Sequence, residues 1–234
     1  MNTKLDILEK LFAKANQQIP YKDITFTLGD KYVAAQCPDG NIGVCATLGT
    51  KVREQNSDDI TFESQNNRIL ANAYVNSVLN YRVKFDGTGD IFNAVEFRDF
   101  NNVVMIGYFG SLVEKLKSKG VSPYVFDIDQ HEAPVLPMEE QAKYLSHADC
   151  IILTSTSISN NTFYGIVKST PEHCSIFMLG PSTPLDDLMF SIPKIKGLFG
   201  SIFPNNNTET LHLIAQGVGT RGFMHNMHKV FRLK

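Results

Sequence analysis

The 234-residue sequence is short of cysteine, short of net charge and short of long apolar runs, and each shortage removes a class of protein. Twenty-two Lys and Arg stand against 24 Asp and Glu, a formal charge of -2, so no global field draws the chain to nucleic acid or an anionic membrane. No apolar run approaches the roughly 20 residues of a membrane helix, and the longest, Val103 to Gly110, suits a buried strand. Acids at Asp6 and Glu9 interrupt what would be the apolar region of a signal peptide, which argues against export and for a cytoplasmic protein. Four cysteines, Cys37, Cys45, Cys150 and Cys174, form no C-x-x-C pair and no disulfide framework, so reduced thiols are expected. Several catalytic signatures are missing as well. There is no G-x-S-x-G elbow, no Walker A loop, no complete G-x-G-x-x-G triplet, and no basic stretch interleaved with aromatics.

What is present is ordinary globular composition, 43% hydrophobic, 20% charged and 10% aromatic, enough for one large domain or two small ones. Apolar spacing at Leu5, Ile7, Leu8, Leu11 and Phe12 predicts an opening helix. Ile24–Leu28, Tyr32–Cys37 and Ile42–Leu48, joined by turns at Gly29-Asp30 and Pro38 to Asn41, predict an antiparallel meander. A helix follows over Arg68–Asn80, with Leu70, Tyr74 and Val78 on its apolar half. Its other half carries Asn72, Asn76 and Asn80, expected to be a solvated face, the alternative being a face turned to a ligand cleft.

Residues 84–100 read as a connection, after which the pattern becomes strand, helix, strand, helix. Strands are predicted at Val103–Ile106, Tyr124–Phe126, Cys150–Leu153, Ile176–Leu179 and, more weakly, Lys196–Phe199. The helices between them fall over Ser111–Lys119, Glu139–Ser146, Asn161–Lys168 and Thr208–Gln216, and Lys229–Leu233 reads as an edge strand. The fold class is therefore α/β, a doubly wound, mostly parallel sheet preceded by a smaller α+β unit, with domains expected at 1–85 and 86–234.

Ligands of such sheets sit beyond the carboxyl ends of the strands. Gly107 and Gly110 open a helix there, and Asp127 lies 20 residues past Gly107, but the incomplete glycine fingerprint argues against NAD or FAD. The hydroxyl- and amide-rich stretch Thr154 to Thr162 suits an oxyanion, with helix capping by Ser159 or Asn160 as the plainer explanation. Gly180-Pro-Ser-Thr-Pro184 adds a second hydroxyl-bearing loop, and its two prolines allow a cis bond. Cys150 and Cys174 are expected as buried packing, Cys37 and Cys45 as hairpin neighbours too few for zinc, and His225-x-x-His228 as a weak ligand pair.

Thr154, Thr156, Asn160 and Thr162 fit a T-x-T-x-x-x-N-x-T pattern, preceded by Ala148-Asp-Cys-Ile-Ile152 and followed by Gly180 to Pro184. In these features the chain resembles a family of uncharacterised proteins described as "putative heavy-metal chelation". The resemblance implies an N-terminal domain similar to the enolase N-terminal fold, a C-terminal Rossmann-like domain, and a site between them to which Asn76 contributes from the first domain's helix. The chain departs from the family pattern at Ser155, usually Gly, at Gly107-Tyr-Phe-Gly110, usually G-H-F-P-like, and near Asn205, where an acid is usual.

The expected function is binding of a small anionic or metal-chelating ligand, with a divalent or heavy metal as the only cofactor suggested. The expected ligand-binding residues are Asn76, Gly107, Phe109, Thr154, Thr156, Asn160, Thr162, Gly180, Pro181, Ser182 and Thr183. Asp127 and Asp129 are the candidate charged participants, Asp127 as metal ligand or either as general base. The rival is an enzyme making or modifying a metal-binding molecule, for which Tyr108 and His131 are the further titratable candidates. A third expectation is a homodimer module with these loops buried in its interface.

Overall fold

The computed structural model describes residues 6–56, 60–129 and 135–234. Helix α1 (Ile7–Asn16) starts at Asp6, whose side chain accepts the Leu8 N–H and also holds the Arg68 guanidinium at 2.7 Å. Strands β1 (Thr25–Leu28), β2 (Tyr32–Gln36) and β3 (Ile42–Ala46) form the expected antiparallel meander, and α2 (Gln65–Leu79) lies across it. The approach is close at Gly43, where a Cβ would fall 2.1 Å from the Ser77 backbone nitrogen.

The second sheet has seven strands. They are β4 (Gly87–Thr88), β5 (Val103–Ile106), β6 (Tyr124–Phe126), β7 (Cys150–Thr154), β8 (Ser175–Leu179), β9 (Ile195–Ile202) and β10 (His228–Leu233). The spatial order is β4-β10-β9-β8-β7-β5-β6, parallel from β9 to β6, with β10 antiparallel to both its neighbours. Helices α3 (Ile91–Ala94), α4 (Gly110–Ser118), α5 (Gln141–Leu145), α6 (Thr156–Ser159), α7 (Phe163–Lys168), α8 (Thr208–Ala215) and α9 (Thr220–Phe223) complete the chain.

Period-two alternation distributes the core. In β5 and β7, Val104, Ile106, Ile151 and Leu153 join the cluster shared with α1 and α2, while Val103, Met105, Cys150 and Ile152 join the one against α4. Both faces of this sheet are therefore covered, as near-continuous apolar strands require. The meander is also covered twice. Val33, Ala35 and Cys45 face α2, whereas Ala34, Ile42 and Val44 pack against Phe203, Ile214 and Phe223 from the other end of the sequence.

Several expectations are corrected. Residues 84–100 are not merely a connection, because Gly87–Thr88 pairs with β10 and forms the sheet edge; β10 is thus an interior strand. The weak strand is the longest, eight residues, because neighbours on both sides outweigh the low propensity of Gly197 and Gly200. The helix expected over Asn161–Lys168 starts at Phe163, since Asn161 takes a left-handed φ of 62° that ends α6 and cannot belong to α7. Both prolines of the Gly180–Pro184 loop follow trans bonds.

The largest correction concerns the asparagine stripe. Asn72, Asn76 and Asn80 are buried, not solvated, because α2 is covered on all sides. Their side-chain amides donate to Ser182 O at 2.9 Å, Val44 O at 3.1 Å and Thr183 O at 3.0 Å, and Asn80 Oδ1 accepts the Leu185 N–H at 2.8 Å. Buried backbone groups of a loop need partners, and here asparagine supplies them.

Candidate functional site

With strands in the order second, first, third, fourth, fifth across β6-β5-β7-β8-β9, the direction of winding reverses between β5 and β7. Loops leave this crevice in opposite directions and open a space at the carboxyl edge. Gly107 makes the first of these loops. It sits at φ 91°, and a Cβ there would meet Thr154 Cβ at 2.7 Å, so only glycine lets the end of β5 lie against the end of β7.

Two cavities at this edge take in the expected residues. The smaller, about 210 Å³, lies at the reversal and is lined by Gly107, Phe109, Asp127, Thr154, Thr156, Asn160 and Thr162 among others. The larger, about 550 Å³, runs from the end of β5 past β7 and β8 to the segment 220–229. Phe109, Thr154, Thr156, Gly180, Pro181 and Ser182 line it, together with Tyr32 from the meander. Tyr108, Phe109, Thr154 and Thr156 line both. Nine of the eleven residues expected to bind ligand therefore face one cavity or the other, and Asn76 and Thr183 face neither.

Thr154 Oγ1 and Thr156 Oγ1 are 2.9 Å apart, so one hydroxyl proton joins them and the other has no acceptor among the described residues. Asn160 Oδ1 accepts from the Thr162 N–H and hydroxyl, which fixes its amide orientation. Ser182 is nearly buried; its Oγ accepts the Ala46 N–H at 3.1 Å. Thr183 is fully buried and its hydroxyl is committed among Gly180 O, Phe199 O and Ser155 Oγ. These two loop residues act mainly as fastenings.

Asp127 has a structural task as well. Its two oxygens accept the Tyr108 N–H at 2.5 Å and the Asp129 N–H at 2.9 Å, holding the β5 loop in place. Asp129 is exposed and lines neither cavity. His131 lies outside the described residues.

Sequence reasoning missed the charged wall of the larger cavity, namely Asp90, Arg221 and Lys229. Burial would raise the Asp90 pKa, but the Phe92 N–H and the ammonium groups of Lys115 and Lys229, at 3.1 and 3.9 Å, outweigh it and hold the carboxyl below its ordinary value. Arg221 makes no ion pair with any described residue. Tyr32 donates or accepts a 2.7 Å bond with Thr220, and burial raises its pKa, so it stays a neutral phenol. The pairing of β10 with β9 and β4 brings Lys229 to this edge, and the packing of α9 on the meander through Thr220 and Phe223 brings Arg221; no local motif announces either.

Metal-ligating chemistry is poorly supplied. Among the described residues, no three His, Cys, Asp or Glu form a group able to hold a metal ion. All four thiols are free and buried, and burial pushes them up, Cys37 to about 11 and Cys174 to about 12, with Cys45 and Cys150 also raised. Thiolates, the heavy-metal ligands, are thus suppressed. Cys37 donates to Ser77 and Cys45 lies opposite Val33 in the meander, so the two do not pair with each other. His225 bonds Glu209 at 3.1 Å while His228 starts β10, so they are not a ligand pair on one helix. No described helix is long and apolar enough to cross a membrane.

Two solved structures resemble this fold along nearly its whole length. A protein of unknown function from Pyrococcus horikoshii matches with a TM-score of 0.80 and 21% identity, over 97% of this chain and 100% of that one. One from Desulfitobacterium hafniense matches with a TM-score of 0.72 and 16% identity, over 97% and 98%. Both carry the DUF364 family name. No curated protein matches the chain. The DUF364 profile, described as "Putative heavy-metal chelation", matches residues 90–233, and on that match the chain belongs to this family.

Proposed function

We propose that the chain binds a small anionic molecule in the 550 Å³ cleft, between the units 1–85 and 86–234, and that any metal arrives already held by that molecule's own donor atoms. One observation carries this reading. The lining joins a free hydroxyl of the Thr154–Thr156 pair to two cations, Arg221 and Lys229, against a single carboxylate, Asp90. Such a surface favours an oxyanion and repels a bare cation. The family description points to heavy metals, whereas the raised thiols and the lack of a donor cluster among the described residues speak against direct ligation. A metal chelate with free carboxylates reconciles the two.

Amide shifts of the isotope-labelled chain, followed by NMR, test this. Citrate is expected to move the amide resonances of residues 154–156, 180, 182 and 221, and cadmium ion alone to move none of the four cysteines. Stoichiometric cadmium binding with loss of titratable thiol, and no response to citrate, would overturn it.

A further inference from the structure

The two cavities at the carboxyl edge differ in character and share a wall. In the larger, two cations oppose one carboxylate, and that carboxylate is already engaged by Lys115 and Lys229 while Arg221 has no charged partner among the described residues. In the smaller, Asp127 is the one charged lining residue, and both its oxygens accept backbone N–H groups. Leu48, Ile106, Phe126, Ile128, Met138 and Ile166 give that cavity an apolar wall, alongside the uncharged polar side chains of Gln141, Thr154, Thr156, Asn160 and Thr162.

Exposure of apolar side chains sharpens the contrast. Five large apolar residues are exposed among those described: Leu48, Tyr124, Ile128, Met224 and Leu233. Leu48 and Ile128, the latter 71% exposed, line the smaller cavity, and Met224 lines the larger. Exposed apolar groups gathered at cavity walls mark contact surface. Leu48 has a left-handed φ of 53° because it and Gly49, at 77°, are the central residues of the turn closed by the Thr50 N–H on Thr47 O at 3.0 Å, and that turn sets it at the cavity mouth.

Building on the anion-binding reading, we propose that the ligand is an amphiphilic organic acid. Its oxyanion is held by Arg221 and the Thr154–Thr156 hydroxyls, and its apolar portion extends past Tyr108 and Phe109 into the cavity bounded by Leu48, Ile128 and Ile166. A purely polar anion would leave the smaller cavity empty and its apolar wall wet.

Calorimetric titration of the full chain with straight-chain carboxylates from acetate to octanoate, alongside inorganic phosphate at fixed ionic strength, tests the inference. Affinity is expected to rise about fourfold per added methylene until the smaller cavity is filled. Arg221→Gln should weaken every member about tenfold. Leu48→Gly relieves the left-handed backbone, so the variant folds, and it should flatten the chain-length dependence while leaving acetate unchanged. A series that is flat in the unaltered chain, with binding still lost in Arg221→Gln, overturns the amphiphile and leaves the anion site standing. Failure of phosphate and of every carboxylate to bind overturns both.

Discussion

Along α2, three asparagines are buried and bonded to backbone, whereas Thr154, Thr156 and Asn160, at the end of β7 and along α6, are half-buried and face cavities. In the linear sequence both groups are small polar side chains a few residues apart, one on a predicted helix and the other after a predicted strand. The difference lies in what each is bonded to. Asn72 and Asn80 satisfy Ser182 O, Thr183 O and the Leu185 N–H and so fix the 180–185 loop, while Asn76 donates to Val44 O; all three donate their amide N–H to buried backbone. The threonine pair bonds only to itself and keeps a proton over. A polar residue is available to a ligand when the protein has not already used its hydrogen-bonding capacity.

Substitutions can separate the two roles. The largest effect is expected for Asn80→Ala, which strands a buried N–H and a buried C=O; urea denaturation should show a loss of about 3 kcal/mol. Asn72→Ala should cost less, about 1 kcal/mol by the same measurement, because it orphans only Ser182 O and also removes an Oδ1 that is buried without a partner. If Asn72 proves as costly as Asn80, the backbone-fastening account of the stripe fails. Thr156→Val should leave stability within about 0.5 kcal/mol yet weaken citrate binding roughly fivefold in titration calorimetry, the reverse of the asparagine pattern. A large stability loss there would move Thr156 into the structural class.

The smallest effect concerns Asp90. Its folded carboxyl sits below the ordinary value, so its contribution is complete above the unfolded pKa near ~4 and is lost as pH falls through the lower folded value. Melting temperatures between about pH 2 and 5 should therefore decline less steeply in Asp90→Asn. The difference is modest because Lys115 and Lys229 are about half exposed.

The parallel sheet and the meander were legible in the sequence because apolar alternation and turn residues are local signals. Val103–Ile106 and Tyr32–Gln36 declare themselves within a few residues. The hydroxyl loops were legible for the same reason. The burial of Asn72 was not, since it depends on α6 and the 180–185 loop arriving from a hundred residues away. Arg221 and Lys229 were missed on similar grounds, Lys229 brought to the edge by an antiparallel strand with one partner, Gly87–Thr88, too short to recognise, and Arg221 by a short helix packed on Tyr32 about 190 residues earlier.

The outer face of the meander has a consequence for how the chain is made. Ala34, Ile42 and Val44 are synthesised some 160 residues or more before the side chains that shield them, Phe203, Ile214 and Phe223. During translation the meander therefore presents a naked greasy surface for the time it takes to add some 160 residues, on the order of ten to thirty seconds. That interval is when a chaperone would have most to hold, and the arrival of Phe203, Ile214 and Phe223 is what closes it.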